Sequence, residues 1–191
     1  SFRKFIKKIM KYSIVMPVFK RSEILKKSLK SIQNQLLQPM ELILIDNNVI
    51  SIETKKLYDI VEEFKINSNF DIKLLKSIKN NGAIARNIGA KVSKGDIVAF
   101  LDSDVVLDND YYLILMEYFY HNQDLIAIQG ADRSLIESQS KVKKYSLPAK
   151  ILYSFEQFFE TSLLFNKKSA YVSPSMAVSH PNVLKDFEVE S

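Results

Sequence analysis

Asp96-Ile97-Val98-Ala99-Phe100-Leu101-Asp102-Ser103-Asp104 is an apolar run that stops at two carboxylates one residue apart. A continuous apolar stretch bounded by polar residues predicts a strand covered on both faces, the kind found in parallel sheets flanked by helices. Residues just beyond the carboxyl end of such a strand sit where open α/β sheets bind ligands. Two oxygen-donor side chains there suit a hard divalent cation, Mg2+ or Mn2+, which takes carboxylates together with substrate phosphates. Asp-Xaa-Asp also occurs in ordinary turns at strand ends, so the neighbouring sequence decides between the readings.

Upstream, Ala85, Ile88 and Val92 recur at helical spacing, which predicts a short helix with Asn80, Asn81 and Gly82 as its opening turn and Gly95 as its stop. Arg86 then falls in the first turn, where a cation opposes the helix dipole and an anionic partner is expected. Exposed backbone N–H groups and a guanidinium favour a phosphate there, although a carboxylate of the chain itself would serve equally.

Further out, strand and helix patterns alternate four times. Tyr12 to Phe19 and Glu41 to Asp46 are apolar strands, and Phe70 to Ile78 alternates enough to be a third. Between them, Leu25, Leu29, Ile32 and Leu36 mark one helical face with Ser22 as its N-cap, and Leu57, Ile60, Val61 and Phe64 mark another. This alternation predicts an α/β, Rossmann-like, mainly parallel sheet flanked by helices. The strand ends then gather Phe19, Asp46 with Asn47, the Asn81 turn and Asp102 to Asp104 on one edge.

Downstream the pattern is less regular: a helix over Tyr111 to Tyr120, a short strand over Leu125 to Gln129, a basic loop at Lys141 to Lys144 and an amphipathic helix within Leu147 to Phe165. At the other end, Phe2, Phe5, Ile6, Ile9 and Met10 line one face of a segment charged by Arg3, Lys4, Lys7, Lys8 and Lys11. Residues 1–11 therefore read as a basic amphipathic segment, suited to docking on the domain or to resting on anionic lipid. Residues 12–191 read as one domain.

The 191 residues, 47% hydrophobic, can bury a full core. The absence of Cys excludes disulfides and thiolate metal sites. A net charge of +5 suits an anionic ligand or surface. Basic residues are otherwise scattered, so no nucleic-acid partner is expected. With four Gly and no Gly-Xaa-Gly-Xaa-Xaa-Gly run, a dinucleotide-binding dehydrogenase is not expected. No apolar stretch is long enough to span a bilayer, so a cytoplasmic location is expected, with peripheral contact at the inner face of the membrane as the open alternative.

Taken in order, Asn80-Asn81-Gly82, Ala85-Arg86-Asn87-Ile88-Gly89, Lys94-Gly95-Asp96, the apolar strand and Asp102-Ser103-Asp104 resemble a family 2 glycosyltransferase of GT-A fold. Ile14-Val15-Met16-Pro17-Val18-Phe19 is similar to that family's first strand, and Glu41-Leu42-Ile43-Leu44-Ile45-Asp46-Asn47-Asn48 to its second. The resemblance implies a nucleotide-sugar donor of UDP, dTDP or GDP type, a Mn2+ or Mg2+ cofactor, and transfer with inversion to a glycan or lipid-linked acceptor in polysaccharide biosynthesis. It makes Asp104 the first metal ligand, with Asp102 second or on the ribose. Phe19, beside Pro17, would cover the base, and Asp46 or Asn47 would hydrogen-bond base or ribose. Arg86 would lie near the base or diphosphate, with Asn81 and Ser103 completing the donor site.

Two departures qualify the resemblance. The second strand of the family usually ends in two acidic residues, whereas Asn47 here both donates and accepts, which leaves base preference open. Ser175-Met176-Ala177-Val178 and Phe187-Glu188 resemble the approach to the family's Glu-Asp pair, which supplies the base that deprotonates the acceptor, yet the sequence given stops at Ser191. The expectation is a domain truncated at its C-terminus, with Glu188 or Glu190 as the alternative base. A nucleotidyltransferase of related fold and a non-catalytic nucleotide-sugar binding module are the competing classes. The first normally shows a Gly-rich opening loop, which Phe19-Lys20-Arg21-Ser22 lacks.

Overall fold

A computed structural model describes residues 10–20, 22–122, 127–129 and 176–179. Its elements run β1 (Tyr12–Val18), α1 (Ser22–Gln33), β2 (Glu41–Asp46), α2 (Ser51–Ile66), β3 (Asp71–Lys76), α3 (Gly82–Val92), β4 (Ile97–Phe100), α4 (Tyr111–His121), β5 (Ala127–Gln129) and β6 (Met176–Ser179). The expected segment 1–9, the basic loop 141–144, the helix within 147–165 and Glu188 lie outside the described residues.

The strands form one sheet in the order β3-β2-β1-β4-β6-β5. The first four are parallel, whereas β6 runs antiparallel to β4 and β5 antiparallel to β6. The mainly parallel sheet flanked by helices is thus present, with an antiparallel extension on one side. Every residue of β2 and β4 is buried, as their unbroken apolar runs require, while the more polar β3 takes the edge.

Side chains of β1 alternate between two cores. Tyr12, Ile14, Met16 and Val18 pack with Leu25, Leu29 and Ile32 of α1, Leu57 and Val61 of α2, and Tyr112 of α4. Val15 packs on the other face with Ile43, Ile45, Val98, Phe100 and Ala85 of α3. Burying each large aliphatic side chain stabilises the fold by roughly 1.5–3 kcal/mol. One expected core position is corrected: Leu36 is 54% exposed, and Leu37, 3% exposed, replaces it. α1 ends at Gln33, so helical spacing no longer governs where residue 36 falls.

Chain order explains where a ligand would sit. From β1 the chain winds outward through β2 to β3, then returns to the opposite side of β1 for β4. The crevice outside the carboxyl ends of β1 and β4 is therefore the topological switch point, the usual ligand position in such sheets. Pairing of these two strands stops at Val15 with Phe100, so Pro17, which lacks an N–H, lies beyond the paired region.

Candidate functional site

β1 leads into Phe19, which is 40% exposed rather than part of the core. Lys20 adopts a positive φ of 56°, an unfavourable conformation for a residue with a Cβ. Two contacts hold it: its N–H donates to Asn48 Oδ1 at 2.7 Å, and its ammonium lies 5.0 Å from the centroid of the Phe19 ring.

β2 ends in a turn organised by Asp46. This carboxylate is 2% exposed. Oδ1 accepts from Asn48 N at 2.9 Å and Asn48 Nδ2 at 2.8 Å, while Oδ2 accepts from Thr54 Oγ1 at 2.8 Å and Lys76 Nζ at 2.7 Å. Burial works to raise its pKa, but the bonds from Lys76, Asn48 and Thr54 outweigh it and hold the carboxyl below the usual range. Asn47 follows, also buried; its N–H donates to Val18 O at 2.9 Å and its Oδ1 accepts from Asn81 N at 3.1 Å. The ends of β1 and β2 and the start of α3 are therefore linked through one asparagine.

Asn81 is the N-cap of α3, and its Oδ1 accepts from Ala83 N at 2.8 Å and Ile84 N at 3.1 Å. Two of the N–H groups expected to greet an anion are thus satisfied by the cap, so the guanidinium is the more important anion-directed group here. The helix begins at Gly82, which places Arg86 in its second turn rather than its first. The anticipated anionic partner is a carboxylate of the chain: Arg86 Nη2 donates to Asp102 Oδ1 at 2.5 Å. Arg86 Nε is buried without a partner among the described residues. A Cβ on Gly82 would stand 3.2 Å from Arg86 Nη1, so the glycine makes room for the guanidinium.

After β4 the chain turns through Asp102, Ser103 and Asp104, with Val105 N donating to Asp102 O at 3.2 Å. Ser103 is buried, Asp102 partly buried and Asp104 exposed. No group of three or more His, Cys, Asp or Glu suited to a metal occurs among the described residues. Two hard oxygen donors beside a guanidinium nevertheless form the set a Mg2+ or Mn2+ ion uses when phosphate oxygens and waters supply its remaining ligands.

The structure thus brings Pro17, Phe19, Asp46, Asn47, Asn81, Arg86, Asp102, Ser103 and Asp104 to one edge of the sheet. Sequence reading missed Lys76, Thr54 and Asn48, the partners of Asp46. One signal was available: Lys76 ends β3 in register with Asp46, an opposite charge across two parallel strands.

Residues 13–187 match the sequence model of Glycosyl transferase family 2. A GalNAc(5)-diNAcBac-PP-undecaprenol beta-1,3-glucosyltransferase of Campylobacter jejuni is 31% identical over 170 residues, covering 83% of this chain and 54% of the relative. Crystalline S. aureus TarS 1-349 in complex with UDP superposes with a TM-score of 0.59 at 17% identity, covering 93% of this chain and 48% of that one. The mannosyltransferase PcManGT of Pyrobaculum calidifontis, in complex with GDP-Man and Mn2+, gives 0.55 at 16% identity, covering 65% and 36%. Both likenesses show the fold. The chain spans between 38% and 54% of the length of the first curated relatives it matches.

Proposed function

The chain belongs to glycosyl transferase family 2, and from that premise we propose that it takes a nucleotide-diphospho-sugar at the carboxyl edge of its sheet and transfers the sugar, with inversion, to a glycan or lipid-linked acceptor. The observation that carries this reading is the convergence of an exposed Phe19, the Asn47–Asn81 link and the Arg86–Asp102 pair at the switch point between β1 and β4.

Each group has a task that follows from its chemistry. Phe19 offers a face on which the base stacks, and Pro17 fixes the strand end that presents it. Asn47 offers an amide that reads the base, in the turn that Asp46 holds; because the amide both donates and accepts, UDP, dTDP and GDP all remain candidate donors. Asn81 and Ser103 set the backbone of the two loops that flank the diphosphate. Arg86 attracts the diphosphate and is oriented by Asp102, whose remaining acceptors suit the ribose or the metal. Asp104 is the first ligand for a Mn2+ or Mg2+ ion and Asp102 the second. When bound, that ion offsets the charge that develops as the nucleoside diphosphate leaves. Similarity in fold to a mannosyltransferase in complex with GDP-Man and Mn2+ supports a divalent metal here.

For the acceptor, likeness to an undecaprenol-linked glucosyltransferase supports a lipid-linked glycan in polysaccharide biosynthesis. The basic residues 1–11 would then rest on the inner face of the membrane, with the domain in the cytoplasm. No helix among the described residues is long and apolar enough to cross a bilayer. Glu188 or Glu190 is the candidate within this chain for deprotonating the acceptor.

A thermal-shift panel of UDP, dTDP and GDP with Mn2+ tests the reading. One nucleotide is expected to raise the melting temperature more with the metal than without it. No shift with any of the three would refute the donor site.

A further inference from the structure

The segment 101–110 between β4 and α4 carries both carboxylates of the proposed donor site and forms neither helix nor strand. Its backbone is fastened to α1. Ser28 Oγ donates to Ser103 O at 2.9 Å, whereas the alternative acceptor within its own helix, Ile24 O, is 3.5 Å away. Ser31 Oγ accepts from Leu107 N at 3.1 Å while donating to Ser28 O at 2.7 Å. Gln35, just beyond the helix, donates from Nε2 to Asp108 O at 2.7 Å and accepts from Tyr112 N at 3.1 Å through Oε1.

Ser28, Ser31 and Gln35 are 0%, 6% and 3% exposed; Ser28 and Ser31 stand at i and i+3 beside the apolar face formed by Leu25, Leu29 and Ile32, and Gln35 lies two residues past the end of α1. A helix that only covered a sheet would place aliphatic side chains there, because burying a polar group costs free energy unless it is hydrogen-bonded. Beyond contacts within α1, these three side chains bond to a single stretch, residues 103–112. The contact made by Ser28 is the most telling, because it holds the carbonyl of the peptide that joins Ser103 to Asp104 and so fixes where the Asp104 side chain begins.

We propose that Ser28, Ser31 and Gln35 are positioning residues for the donor site, a clasp that sets the Asp102–Asp104 loop in the geometry a cation requires. This rests on the reading of that loop as the donor site. Outer residues that orient metal ligands commonly govern affinity without touching the metal.

The test is a Mn2+ titration of the 191-residue chain, following the resonance of free Mn2+ with whichever of UDP, dTDP and GDP the wild type binds tightest. Ser28→Ala is expected to weaken Mn2+ binding about tenfold while leaving metal-free nucleotide affinity unchanged. Ser13→Ala is the control: it removes an equally buried hydroxyl at the opposite edge of β1, where Ser13 Oγ donates to Glu41 Oε1 at 2.8 Å. That variant is expected to lower thermal stability and spare Mn2+ affinity. Equal Mn2+ affinity in wild type and Ser28→Ala would overturn the clasp and leave the donor site standing. An equal loss in Ser13→Ala would assign the effect to general destabilisation and also overturn it. If the wild type binds no Mn2+, the donor-site reading fails and the clasp with it.

Discussion

Arg86 Nη2 stands 2.5 Å from Asp102 Oδ1, joining the second turn of α3 to the end of β4 across 16 residues of sequence. The pair compensates two partly buried charges and aims a planar cation along the carboxyl edge of the sheet. Arg86→Ala removes the cation that the proposed donor site offers the diphosphate and breaks the pair with Asp102. Nucleoside-diphosphate affinity, measured calorimetrically with Mn2+, is expected to fall by about tenfold or more, the scale of one lost charge-assisted bond. Arg86→Lys is expected to recover only part of it, because the ammonium lacks the guanidinium's fork.

Two glycines of α3 separate binding from stability. A Cβ on Gly89 would meet Val15 Cγ1 at 2.3 Å, inside the helix–sheet contact, so Gly89→Ala overpacks that core by about 1–3 kcal/mol. A lower melting temperature is the expected outcome. Gly82→Ala meets only the far end of Arg86, at 3.2 Å. It is expected to spare thermal stability and weaken nucleotide binding by displacing the guanidinium.

Acid sensitivity follows from two buried carboxylates at opposite edges of the sheet. Burial acts to raise the Glu41 pKa, but bonds from Lys73, Ser13 and the Lys94 N–H outweigh it and hold the group below its ordinary value, as happens at Asp46. A depressed folded pKa contributes stability that is present above the unfolded value, about 4, and lost as pH falls through the folded value. Thermal stability should therefore decline below about pH 4. Lys76→Met removes one of the interactions that depress Asp46 and is expected to move the acid-unfolding midpoint upward.

The alkaline limit has the opposite sign. Burial raises the Tyr12 and Tyr112 hydroxyls well above their ordinary pKa. Their contribution is complete below the unfolded value, about 10, and is lost as pH rises beyond it. Tyr112→Phe removes one of these titrations and is expected to blunt alkaline unfolding, measured by circular dichroism between pH 9 and 12.

What could be read beforehand was whatever depends on local pattern. The apolar runs of β1, β2 and β4 and the helical faces containing Leu29 and Val61 require burial wherever they occur, so their elements and their alternation were legible. So was the gathering of Phe19, Asp46, Asn81 and Asp102 at one edge, since parallel strands bring their carboxyl ends together. Pairings that depend on three-dimensional packing were not. Glu41 meets Ser13, Lys73 and Lys94 across separations of 28, 32 and 53 residues, and no periodicity encodes these contacts. The helix stop expected at Gly95 is corrected: α3 ends at Val92 with Ser93 as its C-cap, and a Cβ on Gly95 would meet Ser13 N at 2.5 Å, so close backbone approach is what requires that glycine. The polar face of α1 also gave no motif, because its partners became visible only once β4 had been placed.

In the proposed donor site, the edge containing Asp104 binds a nucleoside diphosphate through a divalent cation. Calorimetric titration of wild type and Asp104→Ala, with and without Mn2+, using the best nucleotide of the three, tests it most directly. Mn2+ is expected to strengthen binding in the wild type, and that strengthening is expected to be lost in Asp104→Ala. Tight binding that ignores both the metal and the substitution would contradict it.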